Sequence, residues 1–307
     1  MRFSTNISGY NFILMTAIIS GFAIFTSGLL VKGINPSVFT TTKNLFAVFL
    51  LAVLLISAKE LRTFVTLPWK HLRKLILVGI VGGSIPFLLF FYGLSITSAT
   101  EAAFIHKIMF IFVAVMAFFL LKERLSRKQA VATIGLLVGV FLLVGAPTTV
   151  DLGAVLIFIA TLFWASETII SKHILKELSP NLVAFGRMFF GSLILLMFLA
   201  VTGEISTMAS LSLEQVAMIS LTALFLFGYV FTWYHGLQLI KASEAAAILV
   251  LGSVITTLLS YMMGMAITLE QTAGVILIVS SIALMIGTGF VSKKVVSKIT
   301  GVYGVKS

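Results

Sequence analysis

Gly93-Leu94, followed by Ala99-Thr100-Glu101-Ala102-Ala103, returns 143 residues later as Gly236-Leu237, followed by Ala242-Ser243-Glu244-Ala245-Ala246. Two further blocks keep the same order. Lys32, Pro36 and Lys43 are matched by Lys176, Pro180 and Arg187 at an offset of 144, and Gln129 and Gly145 by Gln271 and Gly287 at 142. Three blocks in register, drifting by a residue or two, mark a duplicated structural unit.

The composition says what that unit is made of. Of 307 residues, 60% are hydrophobic and 10% are charged, and the mean hydropathy is +1.17. Soluble domains carry about 25% charged residues, and a membrane helix takes about 20 apolar ones. Apolar runs broken by charge, Gly and Pro predict ten spans, near 10–31, 36–57, 72–94, 98–121, 129–146, 152–174, 181–202, 215–238, 242–264 and 270–291. Very short turns are expected near Ser95–Ser98 and Lys241–Ala242. The expected fold is therefore an all-α membrane protein of two five-helix repeats, residues 1–147 and 148–291, with a basic tail over 292–307. Five is odd, so the second unit enters the bilayer from the other side. Inverted repeats of this kind build carriers that bind substrate near the midplane between the halves.

The net charge of +11 would suggest nucleic acid in a soluble chain, but here the basic residues lie between apolar runs. With a cytoplasmic N-terminus, seventeen Lys and Arg fall on the cytoplasmic side and only Lys32 falls on the other. That bias predicts a multi-pass protein of the cytoplasmic membrane with both termini inside. Met1–Asn11 has no small-residue cleavage pattern and reads as the start of a retained first span. There is no cysteine, which excludes disulfides and Cys-ligated metal. No Walker loop, HExxH motif or Ser/His/Asp order occurs, so no cofactor is implied.

The ten-span pattern, the paired Ala-Glu-Ala blocks and Leu121-Lys122-Glu123-Arg124-Leu125-Ser126-Arg127-Lys128-Gln129 resemble the drug/metabolite transporter superfamily, in its EamA-type branch. The resemblance covers residues 10–290 as two tandem EamA-like units. It implies secondary transport of small metabolites, often export of amino acids or related compounds, through a cavity lined by spans one, three, four, six, eight and nine. The chain departs from the family pattern twice. Lys122–Leu125 is answered in the second unit by Met265-Ala266-Ile267-Thr268, without an acidic residue. The helix-bending proline common in spans four and nine is absent, and Ile108 and Leu251 stand near those places.

Charge at bilayer depth is costly and points to function. At ~1.5 Å per residue, Arg187 lies ~10 Å from the cytoplasmic boundary and Glu167 ~8 Å from it. Their matching depths predict a pair, either tying spans six and seven or opening as a gate. Lys43 and Lys107 fall ~10 and ~12 Å from the outer boundary, where a bound anion would neutralise them. Otherwise Lys43 snorkels outward. His106 either titrates for proton coupling or bonds a neighbouring carbonyl. Glu101 and Glu244 follow Thr100 and Ser243, which read as N-caps with a carboxylate in the first turn; alternatively each Glu closes one end of the pathway.

Tyr92, Trp164, Trp233, Tyr234 and His235 fall on family cavity spans, and Trp164, ~18 Å deep, lies below an interfacial belt. Pro86 predicts a kink in span three. Gly79-x-x-x-Gly83 and Gly135-x-x-x-Gly139 predict close helix contacts. The substrate-binding candidates are thus Lys107, Trp164, Glu167, Arg187, His106, Tyr92 and Trp233, with Glu101, Glu244 and Lys43 for gating or coupling. The expected partners are a small-molecule substrate, a coupling ion such as a proton, and membrane lipids, for a monomer or homodimer. The alternative readings are a passive channel or receptor, and an intramembrane lipid-modifying enzyme. The latter has only Glu204 and Glu214 to draw on in one outer loop.

Overall fold

A computed structural model describes the backbone of residues 2–30, 33–97, 99–145 and 151–302 and the side chains of residues 7–27, 33–97, 101–145 and 151–287. Ten helices in it are long and apolar enough to cross a membrane: Ile7–Ser27, Pro36–Ser57, Trp69–Ile96, Glu101–Leu120, Arg127–Val144, Leu152–Ile174, Pro180–Thr202, Leu213–Leu239, Ala242–Met262 and Leu269–Gly287. They are spans 1 to 10 below. Lys32, Ser98, the Thr100 side chain and the basic side chains beyond 287 lie outside the described residues, and the expected tail is helical as far as Val302.

Local chemistry starts the spans where the repeat predicts. Spans 2 and 7 open on Asn35-Pro36 and Ser179-Pro180. The polar side chain accepts from the first-turn amides, and proline occupies the first helical position, where its missing N–H costs nothing. Spans 5 and 8 begin in reciprocal capping boxes, Ser126 with Gln129 and Ser212 with Gln215. Span 3 starts at Trp69, three residues before the apolar run, because a basic amphipathic turn carrying Lys70, His71, Arg73 and Lys74 is already helical. Outside the bilayer Lys74 donates to Glu177. That bond holds the Glu177 carboxyl below the usual carboxylate range, so the contact is intact at neutral pH and is lost as acid takes the carboxylate through its lowered pKa.

The packing reproduces the duplication. Span 1 lies on span 8 as span 6 lies on span 3, and span 9 lies on span 1 as span 4 lies on span 6. Spans 2 and 7, and spans 5 and 10, meet their own counterparts. At the span 5–10 contact a Cβ on Gly139 would come within 3.2 Å of Gly274 O, and one on Gly274 within 2.8 Å of Gly139 O. Gly274→Ala is therefore expected to cost about 1–3 kcal/mol by overpacking, read as a lower unfolding temperature in detergent. An unchanged temperature contradicts this close backbone contact.

Spans 4 and 9 break in the middle without proline. Span 4 is Ala99–Lys107 followed by Met109–Leu120, and span 9 is Ala242–Leu249 followed by Leu251–Met262. At both breaks an i→i+3 bond replaces the helical one: Ile111 N–H to Ile108 O at 2.9 Å, and Ser253 N–H to Val250 O at 2.9 Å. Missing the family proline thus does not remove the bend.

The two ends of the bundle differ. At the end carrying the basic loops, the first segment of span 9 packs on the second segment of span 4. Among the described residues no comparable contact joins Ala99–Lys107 to Leu251–Met262 at the opposite end. Spans 4 and 9 diverge away from the basic end.

Candidate functional site

The polar centre is built around one carbonyl. Pro86 has no N–H to return to Gly82 O four residues earlier, and the helix widens there into a π turn over Gly79–Ser84. Such turns recur at functional sites. The Gly82 carbonyl accepts from Trp164 Nε1 on span 6 at 3.2 Å and from Arg187 Nη2 on span 7 at 3.0 Å. Gly83 packs against Gly191 backbone to backbone, and a Cβ on Gly191 would lie 2.6 Å from Gly83 O. This contact brings the π turn within reach of Arg187.

Glu167 lies beside the same glycine, since a Cβ on Gly82 would sit 2.3 Å from Glu167 Cγ and 3.0 Å from Arg187 Nε. Glu167 and Arg187 thus lie beside the same glycine, but the expected direct pair is not made. The two have no N–O contact within 4.0 Å and face each other across Gly82. Arg187 takes the carbonyl released by Pro86, whereas Glu167 Oε1 accepts from Tyr234 OH at 2.5 Å and Ser171 Oγ at 2.5 Å. Glu167 is 3% exposed and Arg187 6%. Tyr234, fully buried on span 8, is a donor to Glu167 that the sequence placed among the aromatics without assigning it a partner.

Trp164 joins this cluster to span 4. His106 lies 5.0 Å from its ring centroid at an edge angle, and Phe87 and Phe90 of span 3 lie at 5.4 and 5.5 Å. The expected bond from His106 to a carbonyl is not formed: its Nδ1 is buried and has no partner, because the ring is held by aromatic edges. Lys107, half-buried beside the break in span 4, has no hydrogen-bond or ion-pair partner among the described residues. Lys43 Nζ lies 4.6 Å over the ring of Phe39, one helical turn earlier on span 2, a cation–π contact.

Tyr92 is 62% exposed on span 3. Trp233, next to Tyr234 in span 8, is buried and stacks on Tyr229 one turn along, with ring centroids 6.3 Å apart.

Glu101 and Glu244 are both buried. Glu101 Oε2 accepts from Thr97 Oγ1 at 2.9 Å. Ser243 does not cap span 9. Lys241 holds that position without a side-chain bond, and the first amides go to Glu123 of the other unit. Ala242 N–H donates to Glu123 Oε1 at 2.9 Å, and Ser243 N–H and Oγ donate to Oε2 at 3.1 and 2.6 Å. Glu244 in turn accepts from Tyr10 OH at 2.7 Å and Gln129 Nε2 at 2.8 Å.

A duplicated, ten-span bundle with a charged centre between its halves is the architecture of a membrane transporter. The chain belongs to the EamA-like transporter family, whose model matches residues 7–145 and again 151–287. It is similar to the uncharacterized transporter YyaM of Bacillus subtilis, 25% identical over 68% of this chain and 72% of the relative. An uncharacterized transporter of Archaeoglobus fulgidus is 25% identical over 83% of this chain and 90% of its own length. One of Clostridium kluyveri is 23% identical over 88% and 90%. A solved crystal structure superposes with a TM-score of 0.73 at 17% identity, covering 92% of this chain and 96% of the other, which shows the shared fold.

Proposed function

We propose that this transporter is a gradient-coupled carrier of the cytoplasmic membrane that exports a small polar or zwitterionic metabolite by alternating access. In this reading the basic end of the bundle is the cytoplasmic face, which the seventeen-to-one distribution of Lys and Arg supports. Spans 4 and 9 then diverge toward the outer face.

One observation carries the substrate reading. Arg187 Nε and His106 Nδ1 are buried with no partner. Lys107 Nζ is likewise unpartnered, and Glu167 uses only Oε1. These groups come from spans 4, 6 and 7, so both units contribute. Buried polar atoms in proteins are nearly always hydrogen-bonded, and a solute with a carboxylate and an ammonium group would satisfy both signs. In this reading Lys107 and Arg187 take the carboxylate, Glu167 takes the ammonium group, and Trp164 with Phe87 and Phe90 forms the apolar wall. His106 serves the coupling proton.

The test is counterflow in proteoliposomes under an imposed pH gradient, with a panel of amino acids and related zwitterions. Saturable exchange of at least one is expected. Lys107→Ala should lower that exchange about tenfold or more, the equivalent of one lost charged hydrogen bond, with the unfolding temperature preserved. Absence of exchange for every charged solute contradicts the reading, and parental exchange in Lys107→Ala removes this lysine from the site.

A further inference from the structure

We infer that Glu123 is the latch of the cytoplasmic gate, a carboxylate that the second unit does not repeat, and that it holds the carrier closed to the cytoplasm at rest. This rests on the alternating-access reading and names the residues that bias it.

The contacts cross the boundary between the units. Glu123 belongs to the loop after span 4, in the first unit, and its carboxylate receives three donors from the start of span 9, in the second. Both its oxygens are used. A carboxylate at a helix N-terminus meets unsatisfied amides and the positive end of the helix dipole. Lys241 Nζ, at the cap of the same helix, donates back to Arg124 O at 3.0 Å. In the same first turn, Tyr10 and Gln129 of the first unit hold Glu244 of the second. These bonds close the end where spans 4 and 9 converge.

The backbone presents Glu123 deliberately. Lys122 has φ +57, a left-handed conformation that costs a non-glycine residue roughly 1 kcal/mol. It turns the chain so that Glu123 N–H returns to Ala117 O at 3.0 Å. In the second unit the equivalent turn uses Gly264 at φ +89, and Met265, whose N–H likewise returns to the preceding helix at Ser260 O, stands where Glu123 does. Methionine has no carboxylate to offer the start of span 4. Among the described residues the first segment of span 9 packs on the second segment of span 4 at the end where Glu123 binds, and no comparable contact joins Ala99–Lys107 to Leu251–Met262.

The chain's lack of cysteine makes a clean reporter available. Ser166→Cys replaces a half-buried hydroxyl on span 6 that contacts Met116 Sδ of span 4 at 3.8 Å, inward of Trp164. Labelling by a membrane-impermeant maleimide is measured in right-side-out and inside-out vesicles. In the Ser166→Cys parent, labelling from the outer face should be the faster. Glu123→Gln should raise the cytoplasmic-face rate about tenfold, as removal of a charge-assisted bond set implies, and Tyr10→Phe should raise it less. Glu123→Asp should fall between parent and Glu123→Gln. A cytoplasmic-face rate unchanged in both Glu123→Gln and Tyr10→Phe overturns the latch, and so does a parent labelled faster from inside. Labelling needs no substrate: raised rates with no counterflow would refute the carrier reading and leave the latch standing.

Discussion

Arg187→Ala is expected to unfold the transporter's centre at a cost of about 3 kcal/mol or more, the range seen when one member of a buried charge arrangement is removed. Two groups lose their complement at once. Gly82 O loses the Nη2 donor at 3.0 Å, and the Glu167 carboxylate loses the cation across Gly82. Arg187→Lys keeps the charge without the planar fork and should fall between. The informative control is Arg187→Met combined with Glu167→Gln. Neutralising both should cost less than the sum of the single changes, because each single change strands a charge that the double change does not. Chemical or thermal unfolding in detergent reads these differences. Strict additivity would show that the two residues act separately, despite their common neighbour.

Gly191→Ala should be comparably damaging for a steric reason. A Cβ there would lie 2.6 Å from both the carbonyl carbon and the oxygen of Gly83, so backbone rather than a flexible side chain must move. Overpacking of a tight contact typically costs 1–3 kcal/mol and occasionally more. Here the displacement is transmitted to the π turn that offers Gly82 O to Trp164 and Arg187. Gly191→Ala should therefore reduce both the unfolding temperature and the exchange rate. Gly228→Ala is the contrasting control, since its Cβ would meet only Ile19 side-chain atoms at 3.3 and 3.9 Å, and it should be nearly neutral. Equal losses from both substitutions would contradict the special closeness of the Gly83–Gly191 contact.

The duplication, the span count and the helix starts were legible because they depend on short-range patterns. Pro36 and Pro180 sit after capping residues in both units, and apolar runs of membrane length need no tertiary information. Depth also transferred: counting from helix starts places Glu167 and Arg187 at one level, and they meet at Gly82. What intervened between them was not legible. Pro86 predicts a kink, but the identity of the donors that would take its orphaned carbonyl depends on how three other helices pack. For the same reason Tyr234, Tyr10 and Gln129 gave no local sign of the carboxylates they bind, 67, 234 and 115 residues away along the chain. Glu123 was visible as an unrepeated acidic residue, yet its role at the start of span 9 emerges only when the second unit is laid against the first. The breaks in spans 4 and 9 were hidden because their usual marker, proline, is missing, although Ile108 and Val250 make the same local bonds.

The central claim is that the site is reached from one face at a time, and a cross-linking experiment on Ser166→Cys protein tests it directly. A photoreactive cross-linker residue placed at Lys122, beside the latch, joins the start of span 9 when irradiated, and the Ser166→Cys thiol is then titrated from each face. Before irradiation it should react from both faces, at unequal rates; afterwards only the outer face should reach it, and counterflow should stop. Persistent reaction from the cytoplasmic face with counterflow undiminished, after complete cross-linking, would contradict alternating access and leave an open pore as the reading.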